Sequence, residues 1–245
     1  MNGISVVVNT RNEEKNIARC LESASFADEL IVVDMESEDK TVAIAQGYTQ
    51  KIFPIPKTRV IEEARNDSIA KATQPWVFIL DADEVITSSL REELVRTAQS
   101  GQYNGYYVPE RSLIFGKWLK HGWAWPDYHI RFFRRGNLSY SGIVHETPKL
   151  NGSTGYLKNP ILHYHVSSAS EFLKKNRHYA KVKAETYKSQ GRRVSFPGLI
   201  LKPLLIFLYG YIFKLGFLDG MAGLKHAFVV AHQGFLWRRM LRKLQ

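Results

Sequence analysis

The sequence predicts an α/β protein built on a mostly parallel, Rossmann-like sheet. Four short β-branched runs punctuate the first third of the chain, at Ile4 to Val8, Leu30 to Val33, Lys51 to Ile55 and Trp76 to Leu80. Segments with helical periodicity separate these runs. Strands that alternate with helices favour right-handed β-α-β units, whose strands lie parallel in one sheet.

The helices are predicted from the spacing of apolar residues. Within Ile17 to Ala24 and again within Leu90 to Ala98, apolar side chains recur at the i, i+3, i+4, i+7 spacing of one helix face. Gly101 follows the second segment, at a position where helices commonly end. These segments are therefore expected to cover the sheet.

The pattern changes after Gly105 to short aromatic-rich segments separated by Gly and Pro. We expect these segments to extend the sheet with antiparallel strands near Tyr106 to Val108, His129 to Phe133 and Ile161 to Val166. A long loop from Phe115 to Pro126 carries three tryptophans. The predicted sheet is thus parallel in its first half and mixed in its second.

The composition is ordinary for a globular protein, but the charge is uneven. The 245 residues are 44% hydrophobic and 23% charged, which is enough for a sizeable core. From Lys149 onward, 17 Lys and Arg face 3 Asp and Glu, a net charge of +14, whereas the part before it carries −3. Such asymmetry favours a negatively charged partner: nucleic acid, an anionic membrane surface or a phosphorylated substrate.

The cysteine count and the first residues bear on the compartment. Cys20 is the single cysteine, so no internal disulfide can form, which favours a reducing environment. The first residues lead directly into a predicted strand, so no secretory leader is expected.

An apolar run of 15 residues, Leu199 to Phe213, is interrupted by Lys202 and Pro203. A membrane-spanning helix needs about 20 residues. The run is therefore either a buried core helix or a segment that lies in the membrane interface. The cations on both sides favour the interface, because anionic headgroups attract them.

Polar residues follow three of the predicted strands. They are Asn9 to Glu13, Asp34 to Ser37 and Asp81 to Glu84. Ligands of parallel sheets bind outside the carboxyl ends of the strands. Neither GxGxxG nor GxxxxGK[ST] occurs, so dinucleotide and P-loop interpretations lose their main support. Asp81 and Asp83 instead suit Mg²⁺ or Mn²⁺ beside a diphosphate, unless both are merely solvated.

Four segments together resemble the family 2 glycosyltransferases of the GT-A fold. They are VVNTRNEE at Val7 to Glu14, VVDMESEDKT at Val32 to Thr41, ARND at Ala64 to Asp67, and LDADE at Leu80 to Glu84. Within this family, WPDYHIRFFRR at Trp125 to Arg135 and VHE at Val144 to Glu146 are similar to short bacterial enzymes that add glucose or a related sugar to the inner core of lipopolysaccharide. In the family, small residues usually follow the aspartate of the second strand, whereas this chain has Met35 and Glu36 after Asp34.

The resemblance implies a role for each matching residue. Thr10, Arg11 and Glu13 would surround the base and ribose of a nucleotide-sugar, and Asp34 would contact the uracil or ribose. Arg65 and Asn66 would contact the base or diphosphate, although Arg65 could instead be a solvated charge on a helix. Asp81 would contact the ribose or a metal-bound water, and Asp83 would bind the metal.

Transfer with inversion needs a base that takes the proton of the acceptor hydroxyl. The candidates are Glu146 and Asp127, of which we favour Glu146, while His145 would orient the base, bind diphosphate or serve only the structure. His163 and His165 alternate along a strand, so only one of them can face the site. The resemblance suggests a metal or phosphate ligand there, and we choose His163.

The resemblance also predicts organisation and partners. Residues 1–166 would form the nucleotide-sugar-binding catalytic domain, and residues 167–245 a basic, membrane-associated helical region on the cytoplasmic face. The expected reaction moves a hexose from a UDP-sugar to a lipopolysaccharide-core or other envelope glycan. Alternatives are transfer to a polyprenyl phosphate or an inactive membrane-surface scaffold. A nucleic-acid binder is disfavoured, because acids at three strand ends would repel phosphate.

Overall fold

The computed structural model describes residues 2–114, 117–141, 147–164 and 169–245. The strands are β1 Ile4–Thr10, β2 Glu29–Asp34, β3 Ile52–Pro54, β4 Trp76–Asp81, β5 Glu84–Ile86, β6 Gly105–Ile114, β7 Lys117–Trp118, β8 Asp127–Arg134, β9 Leu138–Ser139, β10 Lys149–Leu150, β11 Thr154–Tyr156 and β12 Ile161–Tyr164. The helices are α1 Ile17–Ser23, α2 Thr41–Ala45, α3 Ile61–Ile69, α4 Ser88–Ser100, α5 Ala169–Ser189, α6 Phe196–Leu208 and α7 Gly220–Lys243.

The chain forms two compact units. The first contains Met1–Glu110 and Tyr128–His163, and the second contains Arg111–Asp127 and Tyr164–Gln245. The segment with the three tryptophans thus belongs with the C-terminal helices. The division at residue 166 into a catalytic and a membrane-associated part remains a prediction.

The sheet confirms the predicted fold class. Its strand order is β3-β2-β1-β4-β8-β6-β12-β5, with β7 and β11 paired to β6. β1 runs parallel to β2 and β4, and β2 runs parallel to β3, whereas β8 is antiparallel to β4 and β12 is antiparallel to β5. The parallel half therefore presents the ends of β1, β2 and β4 at one edge.

Alternation along β1 supplies both layers of the core. Val6 and Val8 pack into the cluster on one face of the sheet, and Val7 packs into the cluster on the other. A strand covered on both faces reads as a continuous apolar run. The rings of Trp76 and Phe132 stack at 4.7 Å between centroids and join β4 to β8.

In the second unit, α6 and α7 form an antiparallel helical hairpin. The Arg242 guanidinium lies 4.8 Å from the centroid of Phe196, and a Cβ on Gly234 would lie 3.3 Å from Ile206 Cδ1. A π-helical turn, Tyr209–Phe213, and a 3₁₀ turn, Gly216–Asp219, connect the two helices.

The tryptophan segment is fastened to this hairpin. Trp123 Nε1 donates to the backbone oxygen of Ile206 at 3.1 Å, and the carboxylate of Asp219 accepts from the backbone of Lys120 and His121. A Cβ on Gly223 would lie 1.9 Å from the oxygen of Gly216, so the tight hairpin turn requires glycine at 223.

The apolar stretch of α6 is largely exposed. Helix and π turn together span the 18 residues Phe196–Phe213, with a mean hydropathy of 1.7 and only 11% of the stretch buried. By length and composition this helix could cross a membrane. The alternative of a buried core helix does not fit this exposure, which reaches 75% at Phe213.

Candidate active site

A hydrogen-bond network joins the turns that follow β1 and β2. Asp34 is buried, and its carboxylate accepts from the backbone amide of Ser37 at 3.0 Å and from its hydroxyl at 2.5 Å. The Ser37 hydroxyl also accepts from the backbone of Asn12 at 2.9 Å. Asn12 and Glu36 adopt positive φ of 54° and 56°. The network holds the Asp34 carboxylate at the carboxyl edge of the sheet.

Two buried polar atoms at the end of β1 are without a hydrogen-bond partner in the described part of the chain. They are Thr10 Oγ1 and Arg11 Nε. A buried polar group without a partner is costly, by about 1–3 kcal/mol. Both side chains are thus available to a ligand that fills this edge. Glu13, in the same turn, is half-buried and receives a side-chain hydrogen bond from Asn16 at 2.8 Å.

Arg65 is a buried ion-pair partner and not a solvated helix charge. Only 4% of the residue is exposed. One guanidinium nitrogen donates to Asn9 Oδ1 at 2.8 Å and another to Asp81 Oδ1 at 2.5 Å. α3 therefore delivers a cation to the first aspartate after β4.

A second arginine, from β8, completes the neutralisation of this aspartate. Arg131 donates to Asp81 Oδ2 at 3.3 Å and to Glu84 Oε1 at 2.7 Å, and it lies 3.8 Å from Glu110 Oε2. The other oxygen of Glu84 accepts from the backbone amide of Asp81 at 2.8 Å. Residues 81, 84, 110 and 131 therefore form one buried charge cluster.

Burial and charge act in opposite directions within this cluster. Burial raises the pKa of Asp81, but the guanidinium groups of Arg65 and Arg131 outweigh burial and hold that pKa below its usual range. Glu84 is fully buried, and burial raises its pKa to about 7, with Arg131 opposing the rise and Asp81 adding to it. The cluster thus keeps Asp81 ionised.

The structure brings Asp83 and His163 together. His163 Nε2 lies 3.1 Å from Asp83 Oδ2, and its Nδ1 lies 2.7 Å from Glu110 Oε1. Burial lowers the pKa of His163, but the hydrogen bonds to the two carboxylates raise it well above the usual value. The antiparallel pairing of β12 with β5, which sets His163 opposite Glu84, brings the histidine to this edge.

Two groups of side chains here have donor atoms close enough to share a metal ion. The side-chain donor atoms of Glu84, Glu110 and His163 lie within 4.8 Å of one another. Arg131, however, already occupies the space between the two glutamates, so a cation among these three would compete with the guanidinium. Asp83 with His163 is the better donor pair, and Glu110 is placed to orient the ring from behind.

The other predicted residues are placed less directly. The side-chain amide of Asn66 donates to the backbone oxygen of Tyr140 at 2.7 Å and accepts from its amide at 2.8 Å. Asn66 thus secures the chain shortly before residue 142. Asp127 opens β8 and is exposed. His145, Glu146 and His165 lie outside the described residues.

The sequence interpretation missed Glu84, Glu110 and Arg131 as members of the site. Two of them stand inside the motifs LDADE and WPDYHIRFFRR, and Arg131 follows His129 and Asp127 at the period of two that puts residues on one face of a strand. A charged residue inside an aromatic strand was the available signal. Glu110 offered none that separates it from a surface acid.

The sheet, mostly parallel with added antiparallel strands, is that of the GT-A fold. The chain belongs to Glycosyl transferase family 2, which it matches over residues 5–153. It is 29% identical over 243 residues to the lipopolysaccharide core biosynthesis glycosyltransferase LpsC of Rhizobium meliloti (strain 1021), covering 93% of this chain and 90% of LpsC. It is also 27% identical to an uncharacterized glycosyltransferase of Rickettsia typhi, covering 100% and 88% of the two chains.

Solved structures agree on the fold. The crystal structure of S. aureus TarS residues 1–349 with UDP-GlcNAc gives a TM-score of 0.53 at 14% identity and covers 99% of this chain and 92% of that one. The mannosyltransferase PcManGT of Pyrobaculum calidifontis, in complex with GDP-Man and Mn²⁺, gives 0.50 at 14% identity and covers 94% and 73%. At these identities the likeness shows the fold alone.

Proposed function

We propose that this glycosyltransferase moves a hexose from a UDP-sugar, with inversion, to a lipopolysaccharide-core or other envelope glycan at the cytoplasmic face of the membrane. The observation that carries the proposal is the Asp83–His163–Glu110 arrangement beside the neutralised Asp81. Similarity to LpsC, named for lipopolysaccharide core biosynthesis, supports the acceptor class.

The donor would bind along the edge formed by β1, β2 and β4. The unpartnered Thr10 Oγ1 and Arg11 Nε suit a base or ribose, and the fixed carboxylate of Asp34 suits an imide N–H or a ribose hydroxyl. Glu13, Arg65 and Asn66 would complete the nucleotide site, Arg65 by balancing Asp81 next to the diphosphate.

Asp83 and His163 would hold Mg²⁺ or Mn²⁺. Their donor atoms lie 3.1 Å apart, so both side chains could bind one small divalent cation. A carboxylate behind a histidine is a common arrangement for metal ligands, because it fixes the ring and its tautomer. When bound, the metal would stabilise the charge that develops on the leaving diphosphate.

Proton removal would fall to Glu146, with Asp127 as the alternative. The acceptor hydroxyl attacks the anomeric carbon from the side opposite the diphosphate, and the carboxylate takes its proton as the new bond forms. His145 would orient that carboxylate. The two hydrogen bonds between Asn66 and Tyr140 fix the chain at residue 140.

Attachment to the membrane would bring donor and acceptor together. The exposed residues of α6 and of the hairpin turn offer an apolar surface, and the tail adds cations that anionic headgroups attract. The antiparallel return of α7 keeps both ends of the hairpin on one side. We therefore propose that the hairpin enters one leaflet without crossing the bilayer.

The test is a screen of the full chain against nucleotide-sugars, with and without Mn²⁺, followed by Asp83→Ala. Turnover should fall by orders of magnitude, and Mn²⁺ binding measured by electron paramagnetic resonance should weaken, with little change in melting temperature. Asp67→Ala, which removes an exposed carboxylate from α3, is the matched control. Normal turnover in Asp83→Ala would show the metal assignment to be wrong, and no dependence on any donor would favour the inactive scaffold.

A further inference from the structure

Four of the ten residues that line a cavity in the second unit are cations. The cavity lies where the end of α5, the start of α6 and the end of α7 meet, and its volume is about 200 Å³. The lining side chains with polar or aromatic groups are Tyr187, Arg192, Arg193, Ser195, Lys202, Trp237 and Arg238.

These cations lack an acidic partner within the part of the chain that the structure describes. Among the described residues, no carboxylate forms an ion pair with Arg192, Arg193, Lys202 or Arg238, nor with Lys183 beside them. The chain offers few acids here, because only three follow Lys149. A concentration of unneutralised cations around one cavity costs free energy that an anion would recover.

Aromatic rings contact two of the four lining cations, Arg192 and Arg238, and the neighbouring Lys183. The Arg192 guanidinium lies 4.3 Å from the centroid of Tyr187, and the Arg238 guanidinium lies 4.2 Å from that of Trp237. The two rings meet edge to face at 5.1 Å. Lys183 Nζ lies 5.7 and 5.6 Å from the two centroids. This packing orders the charged groups before a ligand arrives, which lowers the entropic cost of binding.

The electrostatics of Lys183 agree with this description. Burial lowers the pKa of Lys183, and the positive charges of Arg238 and Arg192 lower it further. The cluster is therefore under mutual repulsion that a phosphate would relieve.

The cavity adjoins the exposed apolar face of α6. Gly198 and Lys202 line the cavity. Leu201 follows Gly198 by three residues and Leu205 follows Lys202 by three, so both leucines lie on the neighbouring face of the helix. Each leucine is 53% exposed. A molecule with a phosphate in the cavity would lay an attached hydrocarbon chain along these leucines. The combination selects an amphiphile over a free anion.

We propose that this cavity binds the phosphate headgroup of an anionic lipid whose hydrocarbon chain lies along α6. The inference rests on the proposed membrane attachment and makes part of that attachment specific: one built headgroup site rather than a diffuse positive surface. Phosphomonoesters, with their higher charge, should bind best.

The experiment titrates the full chain with dihexanoyl phosphatidic acid below its micelle concentration. Dihexanoyl phosphatidylcholine and inorganic phosphate are parallel arms. We expect phosphatidic acid to bind about tenfold or more tightly than either, since only it combines the doubly charged phosphate with a hydrocarbon chain. Equal binding of inorganic phosphate would overturn the lipid assignment, and equal binding of phosphatidylcholine would overturn the phosphate site.

Two double variants separate a built site from diffuse charge. Arg192→Gln with Lys202→Gln removes two exposed cations that line the cavity, and Lys188→Gln with Arg239→Gln removes two exposed cations that do not line it. The first pair should weaken phosphatidic acid binding about tenfold or more and the second less than about threefold. Equal losses would overturn the proposal.

Flotation of the full chain with phosphatidylcholine vesicles, with and without phosphatidic acid, tests the membrane attachment separately. Vesicle binding together with a failed short-chain titration would leave the attachment standing and refute the headgroup site. Short-chain binding without vesicle binding would support the site and refute the attachment.

Discussion

Replacement of Arg131 by Met should destabilise the first unit by about 3 kcal/mol. The guanidinium faces Glu84 at 2.7 Å, Asp81 at 3.3 Å and Glu110 at 3.8 Å, and the residue is 9% exposed. Removal of one partner from a buried ion pair typically costs about 3–5 kcal/mol, because the remaining charge is left uncompensated. We expect the lower end, since each carboxylate keeps a second partner.

The assay is urea unfolding followed by circular dichroism, with thermal unfolding alongside. About 3 kcal/mol corresponds to a drop in melting temperature of roughly 6–12 °C for a chain of this size. Arg135→Met removes an exposed cation four residues later and should change stability by less than about 0.5 kcal/mol.

A double-mutant cycle with Glu84→Gln isolates the principal pair. The double variant Glu84→Gln with Arg131→Met should lose about 1–3 kcal/mol less free energy of unfolding than the sum of the losses in the two single variants. An Arg131→Met variant as stable as the Arg135→Met control, or a cycle without coupling, would refute the description of this cluster as one charge-balanced unit.

Three further outcomes are expected. Glu146→Gln should retain donor binding by calorimetry while transfer collapses; if Asp127→Asn alone abolishes transfer, the base is Asp127. In cell fractionation, high salt should release the full chain from the membrane only partly, whereas detergent should release it fully. Phe213→Asp, at a position that is 75% exposed, should shift protein to the soluble fraction without lowering its melting temperature. Complete release by salt would exclude apolar insertion into the membrane. Burial raises the pKa of Glu29, but hydrogen bonds from Lys51, Ser5 and Thr73 outweigh it and lower that pKa from 4.5 to about 2. Its contribution of about 3 kcal/mol is present above pH 4.5 and lost as the pH falls toward 2, so Glu29→Gln should flatten this part of the stability profile, and an unchanged profile would contradict the assignment.

The sequence by itself determined the parallel half of the fold. β-Branched runs and the spacing of apolar residues in helices are patterns among neighbouring residues, so the sequence alone predicts these strands and helices. In a parallel sheet, the carboxyl ends of the strands lie at one edge. Asp34, Asp81 and Asp83 were predicted at that edge for this reason, and the ends of β2 and β4 carry them there. His163 was chosen because alternate residues of a strand face the same side and because of the family resemblance. In the structure, β12 places His163 beside Asp83.

Only the tertiary structure decided which charges are buried together. Arg65, Glu84, Glu110 and Arg131 come from four different elements, and their burial depends on long-range packing that no local pattern encodes. The same holds for α6, whose apolar run fits a core helix or an exposed one equally well. Its exposure follows from how α7 packs against it, and hydrophobicity alone does not tell which neighbour a helix will find.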